Sequence, residues 1–354
     1  MKLTAITGYG HKGPACFLLE LEGRRLLLDC GKGPDDDLEP ELAGIGSIDA
    51  VLVSQSHRDH TGALYRLGEI GSPPVFSTGL TARLAEFSAA GDFAAAARHL
   101  GLEIDTGRCG HAPGAVWMRL GGESGLIYTG DFSLESILYP ADPWPRARAL
   151  LADTAYGVWD SDVQQALSTL SALAATGPLL LPAPAAGRGL EMALLLWEAG
   201  HAVRLCPVHR AVATALAEGG AQLAPGMAER LAAMLDRTEA LTEDASPGGV
   251  AIAAKADASG GVAAHLLEAW TSEPVGIVFT GHVAGGSPAA QAVAEGRASV
   301  LRWNVHPRRR DISALCDAVQ PEAVMPAFAP EAELRQLRAA LPAIPWTDGV
   351  LSLA

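Results

Sequence analysis

The segment Ser54-Gln55-Ser56-His57-Arg58-Asp59-His60-Thr61-Gly62 follows directly on the apolar run 49–54 (DAVLVS). The run reads as a fully buried strand, and the polar segment after it as a loop at the strand's end. Two histidines and an aspartate crowd into four residues there. Neutral imidazole and carboxylate are the usual donors for zinc and similar ions. A loop at a strand end can fan such side chains around one centre. Three other strand ends carry the same residue types: Leu28-Asp29-Cys30-Gly31, Cys109-Gly110-His111-Ala112-Pro113-Gly114 and Tyr128-Thr129-Gly130-Asp131-Phe132-Ser133. Each has an ordinary explanation by itself, as a turn, cap or loop residue. Their joint occurrence in one order points to a metal site.

Composition sets the frame around these motifs. The chain has 354 residues, enough for about two domains. Hydrophobic residues make up 49% and charged residues 19%, which excludes a disordered chain. The net charge of −14 counts against nucleic-acid binding by a whole-surface field, though not against a local basic groove. Five cysteines are scattered singly, so the reading is of reduced thiols in a cytoplasmic protein. No apolar stretch approaches the length of a membrane span, so no membrane partner is expected. The acidic run 34–41 reads as a solvated loop.

The pattern predicts a hairpin over 16–28, a helix over 63–70, a strand over 74–77 and a helical stretch over 80–100. Strands follow at 115–120, 125–128 and 149–153. Beyond residue 155 the rhythm becomes alternating. Helices at 161–175 and 189–199 surround a strand at 179–182, and strands at 248–253 and 275–280 surround a helix at 261–270. That alternation implies a parallel sheet. A strand at 299–305, a helix at 311–319 and a strand at 322–327 complete the reading.

The order of Asp29, His57, Asp59, His60, His111 and Asp131 resembles the metallo-β-lactamase fold, with its H-x-H-x-D-H loop followed by a further His and Asp. YTGDFS (128–133) with LLADTAYG (150–157), PAAGRGLE (184–191), VAIAAKADASGG (250–261), IVFTGHVAGGS (277–287) and Asn304-Val305-His306 are similar to motifs of its β-CASP branch, which groups RNA- and DNA-processing nucleases. The resemblance implies an α/β fold: a four-layer αβ/βα sandwich from residues 1–155 plus 298–354, with a β-CASP α/β domain inserted over 156–297. It implies one or two Zn2+ ions, with Mn2+ as an alternative. Gln55, His57 and His111 would serve the first ion, Asp59 and His60 the second, and Asp131 would bridge. Asp29 would orient a ligand from behind. Asp59, Asp153 and His306 would take part in catalysis, His306 as a proton donor to the leaving group. Arg188, Arg308 and Arg309 would contact substrate phosphate.

Two positions depart from the family pattern. Gln55 stands where the first histidine of the loop is expected, and an amide oxygen is a poorer zinc ligand than imidazole. Phe328, in PEAVMPAFAP (321–330), stands where a final histidine is expected, and phenylalanine cannot coordinate. The expectation is one well-held ion and a weak or absent second. The leading function is hydrolysis of RNA or DNA phosphodiesters by metal-activated water. A catalytically degenerate binding or scaffold protein and a small-molecule hydrolase of the same fold stay open, as does a homodimer.

Overall fold

Strands that are apolar on both faces build the first of two units. The computed structural model describes residues 1–33, 35, 38–220 and 222–354, so Pro34, Asp36 and Asp37 of the acidic run lie outside the described residues. One unit comprises Met1–Leu134, Ala141–Asp160 and His306–Ala354, and the other Glu135–Pro140 and Ser161–Val305.

Two sheets form the core of the first unit. The first runs Val350–Ser352, Lys2–Thr7, Cys16–Leu21, Arg24–Leu28, Ala50–Leu52, Val75–Phe76. Its pairings are antiparallel as far as Arg24–Leu28 and parallel beyond. The second runs Ala323–Ala327, Ala149–Asp153, Leu126–Tyr128, Val116–Leu120, Ile104–Arg108. Side chains alternate between faces along a strand. Cys16, Leu18, Leu27 and Val51 therefore face outward onto Leu67 and Ile70. Phe17 faces inward and meets Tyr128 of the second sheet, ring centroids 5.8 Å apart. On the far side, Leu315 and Val319 of the helix Arg309–Val319 cover Ile127, Leu150 and Val324. The layers are helix, sheet, sheet, helix, as the sequence predicts.

In the second unit all pairings are parallel. The strand order is Glu239–Ala240, Val203–Leu205, Val250–Ala254, Leu179–Ala183, Gly276–Phe279, Ser299–Val300. The helices Val163–Thr176, Arg188–Glu198 and Gly261–Ala269 alternate with these strands. No helix among the described residues is long and apolar enough to cross a membrane.

Local chemistry accounts for the differences from the predicted elements. The stretch 80–100 is two helices, Gly79–Leu84 and Phe93–Leu100. The Asp92 side chain accepts from the Ala95 N–H at 2.8 Å and starts the second one afresh. The 63–70 segment is a 3-10 helix over Leu64–Ile70. Of 299–305, only Ser299–Val300 forms a strand. The strands Lys2–Thr7 and Ile104–Arg108 and the helices Pro207–Gly219, Met227–Arg237 and Glu331–Ala340 are additional to the predicted set.

A buried histidine makes the second unit sensitive to acid. His209 is fully buried, with Nε2 donating to the Pro184 carbonyl at 3.0 Å and Nδ1 3.2 Å from Cys206 Sγ. Burial pushes its pKa down to about 4. The unfolded chain protonates near the ordinary value of about 6.5. The neutral, folded form thus contributes its full stability above that pH and loses it as pH falls toward 4, about 3 kcal/mol in all. Urea midpoints at pH 7.5 and 4.5 should fall more steeply for the wild type than for His209→Gln, which removes the titrating group.

Candidate metal centre

The ends of five strands and one connecting segment carry the candidate ligands and their supports, all within the first unit. Beyond Ala50–Leu52 the chain turns through His57 into the one-turn helix Arg58–Thr61. Backbone hydrogen bonds pin that turn to the end of Arg24–Leu28 and to Ala15. The N–H groups of Ala15, Cys30 and Lys32 donate to the carbonyls of Asp59, His60 and Arg58 at 2.7, 3.0 and 3.0 Å. Gly31 permits the approach, because a Cβ there would lie 1.7 Å from the Asp59 carbonyl oxygen. His111 follows Ile104–Arg108, Asp131 follows Leu126–Tyr128, and Asp153 ends Ala149–Asp153. His306 precedes the helix Arg309–Val319.

Asp131 is the hub. Its Oδ2 lies 3.2 Å from His60 Nε2, 3.5 Å from His111 Nε2 and 2.7 Å from Gln55 Nε2, which donates to it. Its Oδ1 lies 3.8 Å from His306 Nδ1. His57 Nδ1 and His111 Nε2 approach to 3.1 Å. Three donor groups result, each with ligand atoms within 4.8 Å of one another: His57, His111 and Asp131; Asp59, His60 and Asp131; Asp131, Asp153 and His306. Burial pushes the Asp131 carboxyl up, but His60, His306 and His111 outweigh it and hold the pKa well below the usual carboxylate range. Burial likewise opposes charge on His60, yet Asp131 on one side and Asp29 on the other raise its pKa well above the ordinary imidazole value. Asp153 is raised by burial, partly offset by His306, whose Nδ1 lies 2.8 Å from its Oδ2.

Asp29 orients His60 from behind. It is fully buried and accepts from His60 Nδ1 at 2.7 Å, the Ser54 N–H and Oγ at 2.7 Å each, and the Tyr128 hydroxyl at 2.6 Å. His60 Nε2 is thereby turned toward Asp131. The sequence reading singled out neither Ser54 nor Tyr128 for this role. Tyr128 ends a strand and reads as core. Tyr156, 4.9 Å ring to ring from His306, was also not singled out.

The donor set fits a tetrahedral cation. With metal–nitrogen bonds of about 2.0–2.1 Å, neighbouring ligand atoms lie roughly 3.3 Å apart. In the group of His57, His111 and Asp131 the separations of 3.1 and 3.5 Å match this spacing, and in the group of Asp59, His60 and Asp131 the 3.2 Å between His60 and Asp131 does. Gln55 Oε1 is buried without a hydrogen-bond partner. Such an acceptor costs about 1–3 kcal/mol unless a donor or cation reaches it. Phe328 lines the site, its ring 5.5 Å from that of His60 and edge-on to it, so the position expected for a final histidine offers no donor.

The arginines are held elsewhere. Arg308 pairs with both carboxylate oxygens of Asp311 and caps its helix, and Arg309 pairs with Asp160. Arg188 belongs to the second unit, where its Nε donates to Thr280 Oγ1 at 3.1 Å.

Residues 10–99 match the family model described as the metallo-beta-lactamase superfamily. The chain is 27% identical to transcription termination factor FttA of Cenarchaeum symbiosum over 55% of its length and 39% of that protein's. It is 29% identical to a ribonuclease of Thermus thermophilus over 58% of its length and 55% of the ribonuclease's. Over 83 residues it is 40% identical to cleavage and polyadenylation specificity factor subunit 2 of Oryza sativa, 11% of that subunit. The chain thus spans at most about half the length of these curated relatives. A crystal structure of a protein of unknown function from Enterococcus faecalis superposes over 99% of both chains, with a TM-score of 0.61 and 12% identity, a likeness of fold.

Two substitutions test the support behind the ligands. Asp29→Asn should weaken zinc binding about 10–100-fold, read by competition with a chromogenic chelator, while the fold persists by circular dichroism. Gly31→Ala should cost about 1–3 kcal/mol in unfolding stability, because the added methyl group forces the His57–His60 turn away. Unchanged thermal unfolding in that variant would mean the turn is not held as described.

Proposed function

Because the chain carries a metallo-β-lactamase domain and its relatives are β-CASP proteins, we propose that it is a metal-dependent phosphodiesterase acting on RNA. The observation that carries the reading is the convergence of three donor groups on the single buried carboxylate of Asp131. His57, His111, Gln55 and Asp131 would hold the first ion, for which imidazole and carboxylate donors favour Zn2+. Asp59, His60 and Asp131 would hold a weaker second ion, zinc or manganese. A bound ion supplies a Lewis acid and an activated water for attack on phosphorus.

The chain's own residues do the rest. Asp29 keeps a proton on His60 Nδ1 and so presents Nε2 as the ligand atom. Asp153 accepts from His306 Nδ1, which leaves Nε2 as the atom that passes a proton to the departing oxygen. Tyr156 packs edge-on against the His306 ring and limits its rotation. Arg309, nearly half exposed, is better placed than Arg308 to exchange its carboxylate partner for a phosphate. Five free cysteines, four of them buried, support a reducing compartment such as the cytoplasm.

Phe328 favours a second reading, nucleic-acid binding without turnover, because it removes a ligand from the second ion's site.

Metal analysis of the purified protein should find at least one zinc or manganese per chain. The loaded protein should cleave bis-p-nitrophenyl phosphate and a labelled RNA oligonucleotide faster than the matching DNA. His57→Ala and Asp131→Asn should each lower turnover more than about 100-fold, since each removes a ligand rather than a ligand's support. A metal-loaded chain that binds RNA without cutting either substrate would establish the second reading instead.

A further inference from the structure

Residues of the metal loop that hold no ligand atom line an open surface cavity. It has a volume of about 600 Å3, within the range of small-molecule sites, and lies wholly within the first unit. Ser56, Arg58 and Thr61 line it, whereas His57, Asp59 and His60 supply the donor atoms. Tyr65, Glu86, Phe87 and Ser88 belong to the same wall.

Tyr65 is the unusual member. It is 72% exposed, the most exposed of the large hydrophobic side chains among the described residues. Its hydroxyl nevertheless donates to both oxygens of Glu39, at 2.8 and 2.9 Å. Glu39 is itself held by Lys32 Nζ at 2.8 Å and Arg66 Nη1 at 3.3 Å. An exposed aromatic ordinarily keeps its rotamer freedom and loses it on binding. Here two cations and a carboxylate fix the ring in advance, leaving a rigid flat face toward solvent beside a cavity. Every nucleobase has a π-face, and stacking on such a ring tolerates any base. The hydroxyls of Ser56 and Ser88 suit base edges, and Arg58, an exposed residue, suits a phosphate.

We infer that this cavity is a base-stacking subsite for single-stranded nucleic acid, with Tyr65 as the platform and Arg58 as the backbone contact. The inference rests on the nucleic-acid reading above and deepens it. A strand held by one face of the loop would be presented to the ion held by the other.

The test uses the full chain, a fluorescein-labelled 12-nucleotide single strand and bis-p-nitrophenyl phosphate. Tyr65→Ala should weaken oligonucleotide binding about tenfold by anisotropy in EDTA, and Tyr65→Phe should bind within about twofold of the wild type. Hydrolysis of bis-p-nitrophenyl phosphate by the metal-loaded variants should be unchanged, because that substrate has no base to stack. Equal oligonucleotide affinity in Tyr65→Ala and wild type would overturn the subsite and leave the nucleic-acid reading standing. A wild type that hydrolyses the small phosphodiester but neither binds nor cuts the oligonucleotide would overturn that reading, and the subsite with it. Displacement of the strand by free AMP at similar concentration would make this a mononucleotide pocket and likewise refute a strand subsite.

Discussion

A buried carboxylate that must stay charged governs the first unit. Asp131 is 3% exposed, and a lone carboxylate at such a depth would neutralise itself by taking a proton. The imidazoles of His60, His111 and His306 prevent that. Without an ion, a proton on His60 balances the charge, shared between Asp131 and Asp29. With a cation among the same atoms, that proton becomes redundant.

That constraint explains why so much of the surrounding architecture is backbone. The ligand-bearing turn must not drift when the charge balance changes. The N–H groups of Cys30 and Lys32 fix it to the neighbouring strand end and that of Ala15 to the segment before Cys16–Leu21, with Gly31 allowing the close approach. The second sheet enters through Val116, whose N–H donates to the Ser54 carbonyl at 3.0 Å, and through Tyr128, whose hydroxyl reaches Asp29. Burial and Asp29 together raise the Tyr128 pKa well above the usual phenol value, so it remains a donor. One tyrosine thereby couples the core between the sheets to the orientation of a ligand.

The site was readable from sequence where chemistry and position coincide. An aspartate or histidine just past an apolar strand is conspicuous, and Asp29, His57, Asp59, His60, His111, Asp131, Asp153 and His306 all gather in one region. Ser54 and Tyr128 escaped because a hydroxyl at a strand end carries no local signal of what it will bond. The fold was readable where strands are apolar on both faces. It was less so where alanine dominates: in 80–100 the alanines carry helix propensity straight through a break that Gly91 and Asp92 impose. The helices Pro207–Gly219 and Met227–Arg237 also escaped, although Leu231 and Met234 of the second mark a buried face at helical spacing.

The two departures from the histidine-rich pattern are not equivalent, and the structure separates them. Gln55 loses an imidazole but turns its amide nitrogen onto the hub carboxylate and keeps a buried, unpartnered oxygen. Phe328 keeps nothing that can bind. It is held at a positive φ of 67°, which a bulky side chain adopts only under constraint, by its N–H to the Gly8 carbonyl at 2.7 Å and by the Phe17 ring 5.9 Å away. Its ring covers one side of His60 with hydrocarbon. A cation sharing Asp59, His60 and Asp131 would therefore find hydrocarbon in place of a donor on its Phe328 flank. An ion on His57 and His111 meets no such barrier. The asymmetry follows from which side chains flank the hub, imidazoles at His57 and His111 on one side and the hydrocarbon of Phe328 on the other.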